Sequence, residues 1–181
     1  MDKDCNLNSL LNILNSSVQE LYKKDKDLLL RDETPREGME RSCAFRIGHY
    51  LCNNLIKNKT RKKRFGKYHV DMEYNKKGDQ PKSIKDIRRR PDLIVHRRSV
   101  DDDNLLVVEF KHSLKRTTSR YKAQIFKDKD KLKGFTCESG EYKYKLGVLV
   151  EVGAFKADCT YFYRGEEVTK KELKEICRTG V

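Results

Sequence analysis

Long apolar runs are missing from the sequence. None approaches the roughly 20 residues that a transmembrane helix needs. The first residues, MDKDCNLNSLLNIL, have neither the basic start nor the small-residue cleavage site of a signal peptide. Internal repeats and low-complexity tracts are also missing. We therefore expect a soluble cytoplasmic protein with no membrane partner, whose 181 residues form a single domain around one core.

Closely spaced cysteines are missing as well. The six cysteines include no CxxC pair, and no histidine lies at zinc-finger spacing from them. In an intracellular chain of this length, such cysteines are expected to be reduced and mostly buried thiols. The pattern therefore argues against a structural zinc site.

Acidic residues are scarce relative to basic ones. The chain has 41 Lys and Arg against 28 Asp and Glu, a formal net charge of +13. This charge favours nucleic acid as a partner, with a merely soluble basic protein as the alternative. Seven cations and no acid lie between Lys57 and Lys67, which we interpret as a phosphate-contacting loop rather than a solvated one. The predicted nucleic-acid-binding residues are Arg61, Lys62, Lys63, Arg64, Lys67, Arg88, Arg89, Arg90, Arg116 and Arg120.

The spacing of apolar residues predicts a chain of mixed helices and strands. Helices are predicted at residues 7–22, 34–58, 118–136 and near the C-terminus, and strands at 68–74, 91–96, 105–111, 144–152 and 159–164. Capping boxes mark two helix starts, the first formed by Thr34 with Glu37 and the second by Thr169 with Glu172.

This element order predicts an α/β (α+β) fold, with a mixed central sheet of about five strands flanked by helices. Its core order is one helix, three strands, one helix and one strand. Residues 34–152 would form the core. Residues 1–30 would be an N-terminal helical extension, and residues 153–181 a C-terminal strand and helix.

The two central strands carry acids where a core strand would ordinarily carry none. Asp92 begins the first strand, and Glu109 and Lys111 end the second on one face. If Arg97 and Asn104 close the hairpin, antiparallel register places Asp92 directly opposite Glu109, with Cβ atoms about 5 Å apart. Two carboxylates at about 4 Å repel by roughly 4 kcal/mol at an effective dielectric near 20. A positive charge is therefore expected between them.

Two carboxylates and a lysine on one sheet face match the chemistry of a magnesium site. Mg²⁺ prefers carboxylate and water ligands and keeps waters that a phosphate can replace. A bound Mg²⁺ or Mn²⁺ would activate a water for phosphodiester hydrolysis, and Lys111 would position that water. Glu40, on the border of the buried face of the preceding helix, has no local structural partner in the sequence and is the third acid. The alternative is that Glu109 and Lys111 only form structural ion pairs.

The pattern Pro91-Asp92, sixteen residues, then Glu109-Phe110-Lys111 resembles the PD-(D/E)XK nuclease superfamily. The resemblance implies a restriction-endonuclease-like three-layer core. It also implies metal binding by Asp92, Glu109 and a glutamate of the first core helix, Glu40 or, as second choice, Glu37, with Lys111 as the catalytic lysine. More locally, Glu73-Tyr74-Asn75, the segment 90–98 and Asp128 with Lys131-Leu132 look like small prokaryotic nuclease-like proteins. His96 and Gln124 are interpreted as structural residues.

These observations predict a metal-dependent DNA endonuclease, with DNA favoured over RNA as partner and a homodimer as the simplest way to cut both strands. A nucleic-acid-binding module with the same fold and little or no catalytic activity is the main alternative. A protein-interaction subunit that uses its basic face for an acidic partner is a third.

Overall fold

The computed structural model describes residues 5–31, 34–35, 39–73, 76–77, 80–81, 83–84, 87–88, 90–98, 103–112 and 118–179. The α helices in these residues are α1 (Cys5–Lys24), α2 (Glu40–Leu55), α3 (Lys59–Phe65), α4 (Ser119–Thr136) and α5 (Lys170–Thr179). The main sheet contains β1 (His69–Met72), β2 (Leu93–His96), β3 (Asn104–His112), β4 (Leu146–Val152), β5 (Ala157–Tyr163) and β6 (Glu166–Val168).

The sheet is mixed, and its strand order is β6-β5-β4-β3-β2-β1. Strands β3 and β4 are parallel, so the chain must cross over between them, and α4 makes that connection. The other neighbouring pairs are antiparallel. The α+β class and the core order of helix, three strands, helix and strand are confirmed. The main sheet has six strands instead of about five because β6 forms a hairpin with β5, across a turn where Gly165 has a φ of +86°.

Side chains alternate between two apolar layers on the faces of the sheet. Leu93 and Val95 contribute to the larger layer, which includes α1 and α2, whereas Ile94 faces the smaller layer beside α4. Residues of α1 such as Leu10 and Leu14 are fully buried in the larger layer, so the N-terminal helix is part of the main core. On β3, Val107 faces α4, and Glu109 and Lys111 lie on the same face by their two-residue spacing.

Two predicted element boundaries are wrong. Helix α2 begins at Glu40, and Thr34 and Pro35 instead form a short antiparallel strand with Leu30–Arg31, so backbone pairing prevails over the local capping signal at Thr34. Glu37 lies outside the described residues. The basic segment predicted to be a loop contains the helix α3, whose N-cap Asn58 accepts a hydrogen bond from the Arg61 N–H.

Two predicted helix starts are confirmed. Helix α4 begins directly after Thr118, whose hydroxyl acts as the N-cap and accepts a hydrogen bond from the Tyr121 N–H at 3.2 Å. The capping box of α5 has both of its hydrogen bonds, from the Thr169 N–H to Glu172 Oε2 at 2.6 Å and from the Glu172 N–H to Thr169 Oγ1 at 3.2 Å. Of the five cysteines whose side chains the structure describes, none forms a disulfide and only Cys43 is buried, so the expectation of mostly buried thiols is wrong for these five. None of the described helices is long and apolar enough to cross a membrane.

Candidate active site

The antiparallel register of β2 and β3 brings the two central acids together. Leu93 pairs with Val108 and Ile94 with Val107, so the same register, extended by one residue, places Asp92 beside Glu109. The predicted register is therefore confirmed from Leu93 to Val95, but the predicted closing pair is wrong, because Asn104 pairs with His96 and the Arg97 N–H donates to the Asp103 carbonyl at 3.2 Å. Near the connecting loop the register shifts by one residue at a bulge.

Asp92 and Glu40 are both attached to the backbone of β3. The Phe110 N–H donates to Asp92 Oδ2 at 2.8 Å, and the His112 N–H donates to Glu40 Oε2 at 3.1 Å. Because Phe110 and His112 flank Lys111, the two hydrogen bonds hold the carboxylates on either side of that lysine. Glu40 reaches this position because it is the first residue of α2, where a carboxylate also interacts favourably with the helix dipole.

Glu109 is the most deeply buried acid of the site, with only 1% of its surface exposed. Its Oε2 lies 2.6 Å from Lys131 Nζ, whereas its Oε1 is buried and has no hydrogen-bond partner among the described residues. Burial raises the pKa of Glu109 well above its usual range, and the nearby Asp92 carboxylate raises it further. A divalent cation at this point would therefore relieve an unfavourable charge.

Lys111 is held between acids. Its Nζ lies 3.0 Å from Asp128 Oδ2 and 3.6 Å from Glu40 Oε1, and it donates to the Phe110 carbonyl at 3.0 Å. Burial disfavours the ammonium form, but Asp128, Glu40 and Asp92 more than offset this effect and raise the pKa of Lys111. Lys111 is therefore a fixed positive charge at neutral pH.

Sequence reasoning assigned no role to Asp128 and Lys131, although both belong to this cluster. They lie three residues apart on α4, and Lys131 Nζ is 3.7 Å from Asp128 Oδ1. A signal was present in the sequence, because Asp128 occupies the apolar stripe of α4 between Tyr121 and Leu132, where a buried acid needs a partner.

The net charge of the cluster would be balanced by one divalent cation. Four carboxylates (Glu40, Asp92, Glu109 and Asp128) and two ammonium groups (Lys111 and Lys131) give a formal charge of 2 − 4 = −2 when all are ionised. Hard carboxylate oxygens and the orphaned Glu109 Oε1 fit magnesium. Within the described residues, however, no three acid, histidine or cysteine side chains already form a compact metal-ligand group. The lysines stand between the carboxylates.

Some of the predicted phosphate-binding residues lie at this end of the sheet. Arg90 directly precedes the Pro91-Asp92 pair, and its Nη1 lies 3.4 Å from Glu73 Oε2. Arg120 is exposed in the first turn of α4. Arg88 is described only as part of a two-residue strand, and Arg89 and Arg116 lie outside the described residues.

The other predicted phosphate-binding residues belong to the α3 segment, at the opposite end of the sheet. Tyr68 and Lys67, which follow α3, contact Asp103 just before β3 begins. Glu109 lies five residues after Asn104, or about 17 Å along the strand. The sheet therefore does not bring α3 and the acidic cluster together.

Several α3 cations already have protein partners. Arg61 donates to the Asn54 carbonyl at 3.1 Å, Arg64 donates to Ser9 Oγ at 2.9 Å, and Lys67 pairs with Asp103 at 3.0 Å. Lys62 and Lys63 are exposed and form no ion pair with any described residue. These two lysines are the strongest candidates for phosphate contact at this end.

The two residues interpreted as structural lie outside the cluster. His96 is buried, and its Nε2 is 2.8 Å from Asp71 Oδ2, which also accepts from Arg98 at 2.9 Å. Gln124 is exposed on α4, one turn before Asp128.

Comparison of the chain with protein-family models, curated proteins and solved structures found no match. The likeness to PD-(D/E)XK nucleases therefore stays an interpretation of one motif and the order of the elements around it.

Proposed function

We propose that the protein is a metal-dependent nuclease of the PD-(D/E)XK type that hydrolyses phosphodiester bonds in nucleic acid, most simply as a DNA endonuclease. One observation carries the proposal: separate elements bring Glu40, Asp92 and Glu109 around Lys111 at one end of the sheet. Carboxylates next to a polyanion would only repel it, so a site of this composition in a basic chain is explained best by a metal that binds both.

Asp92, Glu109 and Glu40 would hold Mg²⁺ or Mn²⁺. Such an ion lowers the pKa of a bound water and stabilises negative charge on a phosphate. The formal charge of the cluster and the unpartnered Oε1 of Glu109 both fit a divalent cation with oxygen ligands.

Lys111 would stabilise charge at the reacting phosphate and orient the attacking water. Its contacts with Asp128 and Glu40 hold the ammonium in place before substrate arrives, which is the preorganisation that electrostatic catalysis requires. Arg90 and Arg120, both exposed near this end of the sheet, would contact flanking phosphates.

The test is incubation of the purified protein with end-labelled duplex, single-stranded and branched DNA and with RNA, in Mg²⁺, Mn²⁺ or EDTA. We expect cleavage of DNA that requires the metal and stops in EDTA. If no substrate is cut under any metal condition, the proposal is wrong.

The second candidate function is a nucleic-acid-binding module without hydrolytic activity. The placement of α3 favours it, because the exposed Lys62 and Lys63 lie at the end of the sheet opposite Glu109 and Lys111. Binding by such a module would weaken with salt and would not respond to EDTA.

The position of α3 leads to a prediction about how the protein binds duplex DNA. The 16 residues of α2 separate Glu40 from the segment leading to α3 by about 24 Å. This corresponds to about seven base pairs at the 3.4 Å rise of duplex DNA. The charge reversal Lys62→Glu with Lys63→Glu is therefore expected to weaken binding of a 30-base-pair duplex about tenfold at low salt and to reduce its salt dependence. Fluorescence anisotropy over a salt series measures both.

A matched control reverses two exposed lysines on α5, Lys171→Glu with Lys174→Glu, which changes the net charge equally. This control is expected to retain most of the affinity. Equal weakening by both double variants would mean that net charge alone, and no contact at α3, determines binding.

A further inference from the structure

Lys131 lies at the position that a cation would be expected to take. Its Nζ is 2.6 Å from Glu109 Oε2 and 3.7 Å from Asp128 Oδ1, and it donates to the Arg90 carbonyl at 3.3 Å. Only 13% of its side chain is exposed. Carboxylate and carbonyl oxygens around one positive centre are also the ligands that hard metal cations prefer.

We propose that Lys131 is the resident counter-ion of Glu109, that a metal must displace it, and that the displaced ammonium then binds a phosphate of the nucleic acid. This inference rests on the proposed function, because it concerns the same site. It adds that the protein holds its own cation there, so that metal binding and phosphate binding are coupled through one side chain.

Lys131 and a metal ion would compete for Glu109 because this carboxylate is buried. Only 1% of Glu109 is exposed, so replacing its cationic partner with water would be costly. Among the described residues, Lys131 is the cation that pairs with it. A metal ion on Glu109 would stand close to the Lys131 ammonium, and like charges at such a separation in a buried site repel each other strongly. The two cations therefore exclude each other from Glu109.

The direction of the displaced side chain follows from its surroundings. Lysine carries a compact charge on a flexible four-carbon stem, so its ammonium can move several ångströms while the α4 backbone stays fixed. The Arg90 carbonyl that Lys131 contacts belongs to an exposed arginine next to Asp92. A phosphate drawn to Arg90 would lie within reach of Lys131 and would offset the loss of its contact with Glu109.

The test compares Mn²⁺ binding by wild-type protein, Lys131→Met and Lys127→Met. Lys127 lies one turn earlier on α4, is exposed and forms no ion pair with any described residue, so its replacement removes the same charge without touching Glu109. We expect Lys131→Met to bind Mn²⁺ about tenfold more tightly than wild type, which corresponds to about 1.4 kcal/mol. Lys127→Met is expected to differ from wild type by less than about twofold, because exposed charges are strongly screened. Isothermal titration calorimetry gives the dissociation constants.

The melting temperature is a second readout, which shows whether a variant is destabilised independently of its metal affinity. Lys131→Met leaves Glu109 without its cation, so its melting temperature in EDTA is expected to fall and to be restored by Mn²⁺ more than that of wild type. The melting temperature of Lys131→Gln in EDTA is also expected to fall, but by less than that of Lys131→Met, because glutamine keeps a hydrogen-bond donor for Glu109.

The inference is wrong if wild type binds Mn²⁺ and the two Lys131 variants bind it no more tightly than Lys127→Met. It is also wrong if they bind Mn²⁺ more weakly, because Lys131 would then support the metal site. If neither wild type nor any variant binds Mn²⁺ at millimolar concentration, the metal site itself is absent, and the proposed function fails together with the inference.

Discussion

Replacing Lys111 with methionine is expected to lower the rate of phosphodiester cleavage by about 10²- to 10³-fold, the usual cost of removing one preorganised charge stabiliser. The reason is that its ammonium, held 3.0 Å from Asp128 Oδ2 and 3.6 Å from Glu40 Oε1, is a preorganised positive charge beside the proposed metal ligands. Single-turnover cleavage at saturating Mn²⁺ is the measurement, because it separates the chemical step from substrate affinity.

Lys129→Met is the matched control for this experiment. Lys129 also pairs with an acid, but its partner is Glu167 on the edge strand β6, at 3.0 Å. Its replacement is expected to change the cleavage rate by less than about threefold, since exposed ion pairs contribute little. Equal rates in Lys111→Met and wild type would remove Lys111 from the site and leave an ion-pair cluster in its place.

Replacing Glu109 with glutamine is expected to abolish the metal response of the protein and, at the same time, to stabilise its fold. Glu109 is buried beside Asp92, and one of its oxygens has no described hydrogen-bond partner, so its negative charge is unfavourable in the folded state. Because the fold disfavours the ionised form of this carboxyl, an uncharged glutamine in its place is expected to raise the free energy of unfolding by about 1 kcal/mol or more at pH 8. Urea unfolding in EDTA measures the gain, and a melting temperature that no longer rises with Mn²⁺ measures the loss of metal binding.

The stabilisation by Glu109→Gln should depend on pH in a defined direction. Because burial and Asp92 raise the pKa of Glu109 in the folded state, the folded wild type takes up a proton more readily than the unfolded chain. The contribution of Glu109 to wild-type stability therefore falls as the pH rises from below 4.5, the ordinary value, through the raised pKa. The advantage of the glutamine variant is expected to be small at low pH and largest at pH 8.

Glu151→Gln is the control for this prediction. Glu151 lies on β4 directly across from Lys111, but its carboxylate accepts a hydrogen bond from the Tyr121 hydroxyl at 2.7 Å. Because its charge has this donor, neutralising it is not expected to stabilise the fold. A Glu109→Gln variant that is less stable than wild type at pH 8 would show that the Lys131 contact fully compensates the charge of Glu109.

The central hairpin could be predicted from the sequence because its determinants are local. The β-branched runs and the two-residue alternation fixed which residues face together, and the closing loop set the register within one residue. That Glu40 belongs to the site was also predictable, since it borders the apolar stripe of α2. Its hydrogen bond to β3 was not, because that contact depends on how α2 packs against the sheet.

The contacts of Asp128 and Lys131 could not be predicted, because they depend on how α4 crosses the sheet. Spacing on α4 shows that the two residues are neighbours on one helix, but not that they meet Glu109 and Lys111. The capping signal at Thr34 was misleading for a related reason, because pairing with Leu30–Arg31 requires extended backbone there. The distance between α3 and the acidic cluster likewise follows from topology and not from the cationic run itself.

The most direct test of the metal site is an anomalous difference map from crystals of the wild-type protein soaked in Mn²⁺. If Asp92 and Glu109 hold the metal, a peak will lie in contact with both carboxylates, and Lys131 Nζ will no longer be 2.6 Å from Glu109 Oε2. A map with no peak at this site, in which Lys131 still pairs with Glu109 and Asp92 still accepts from the Phe110 N–H, would contradict this prediction.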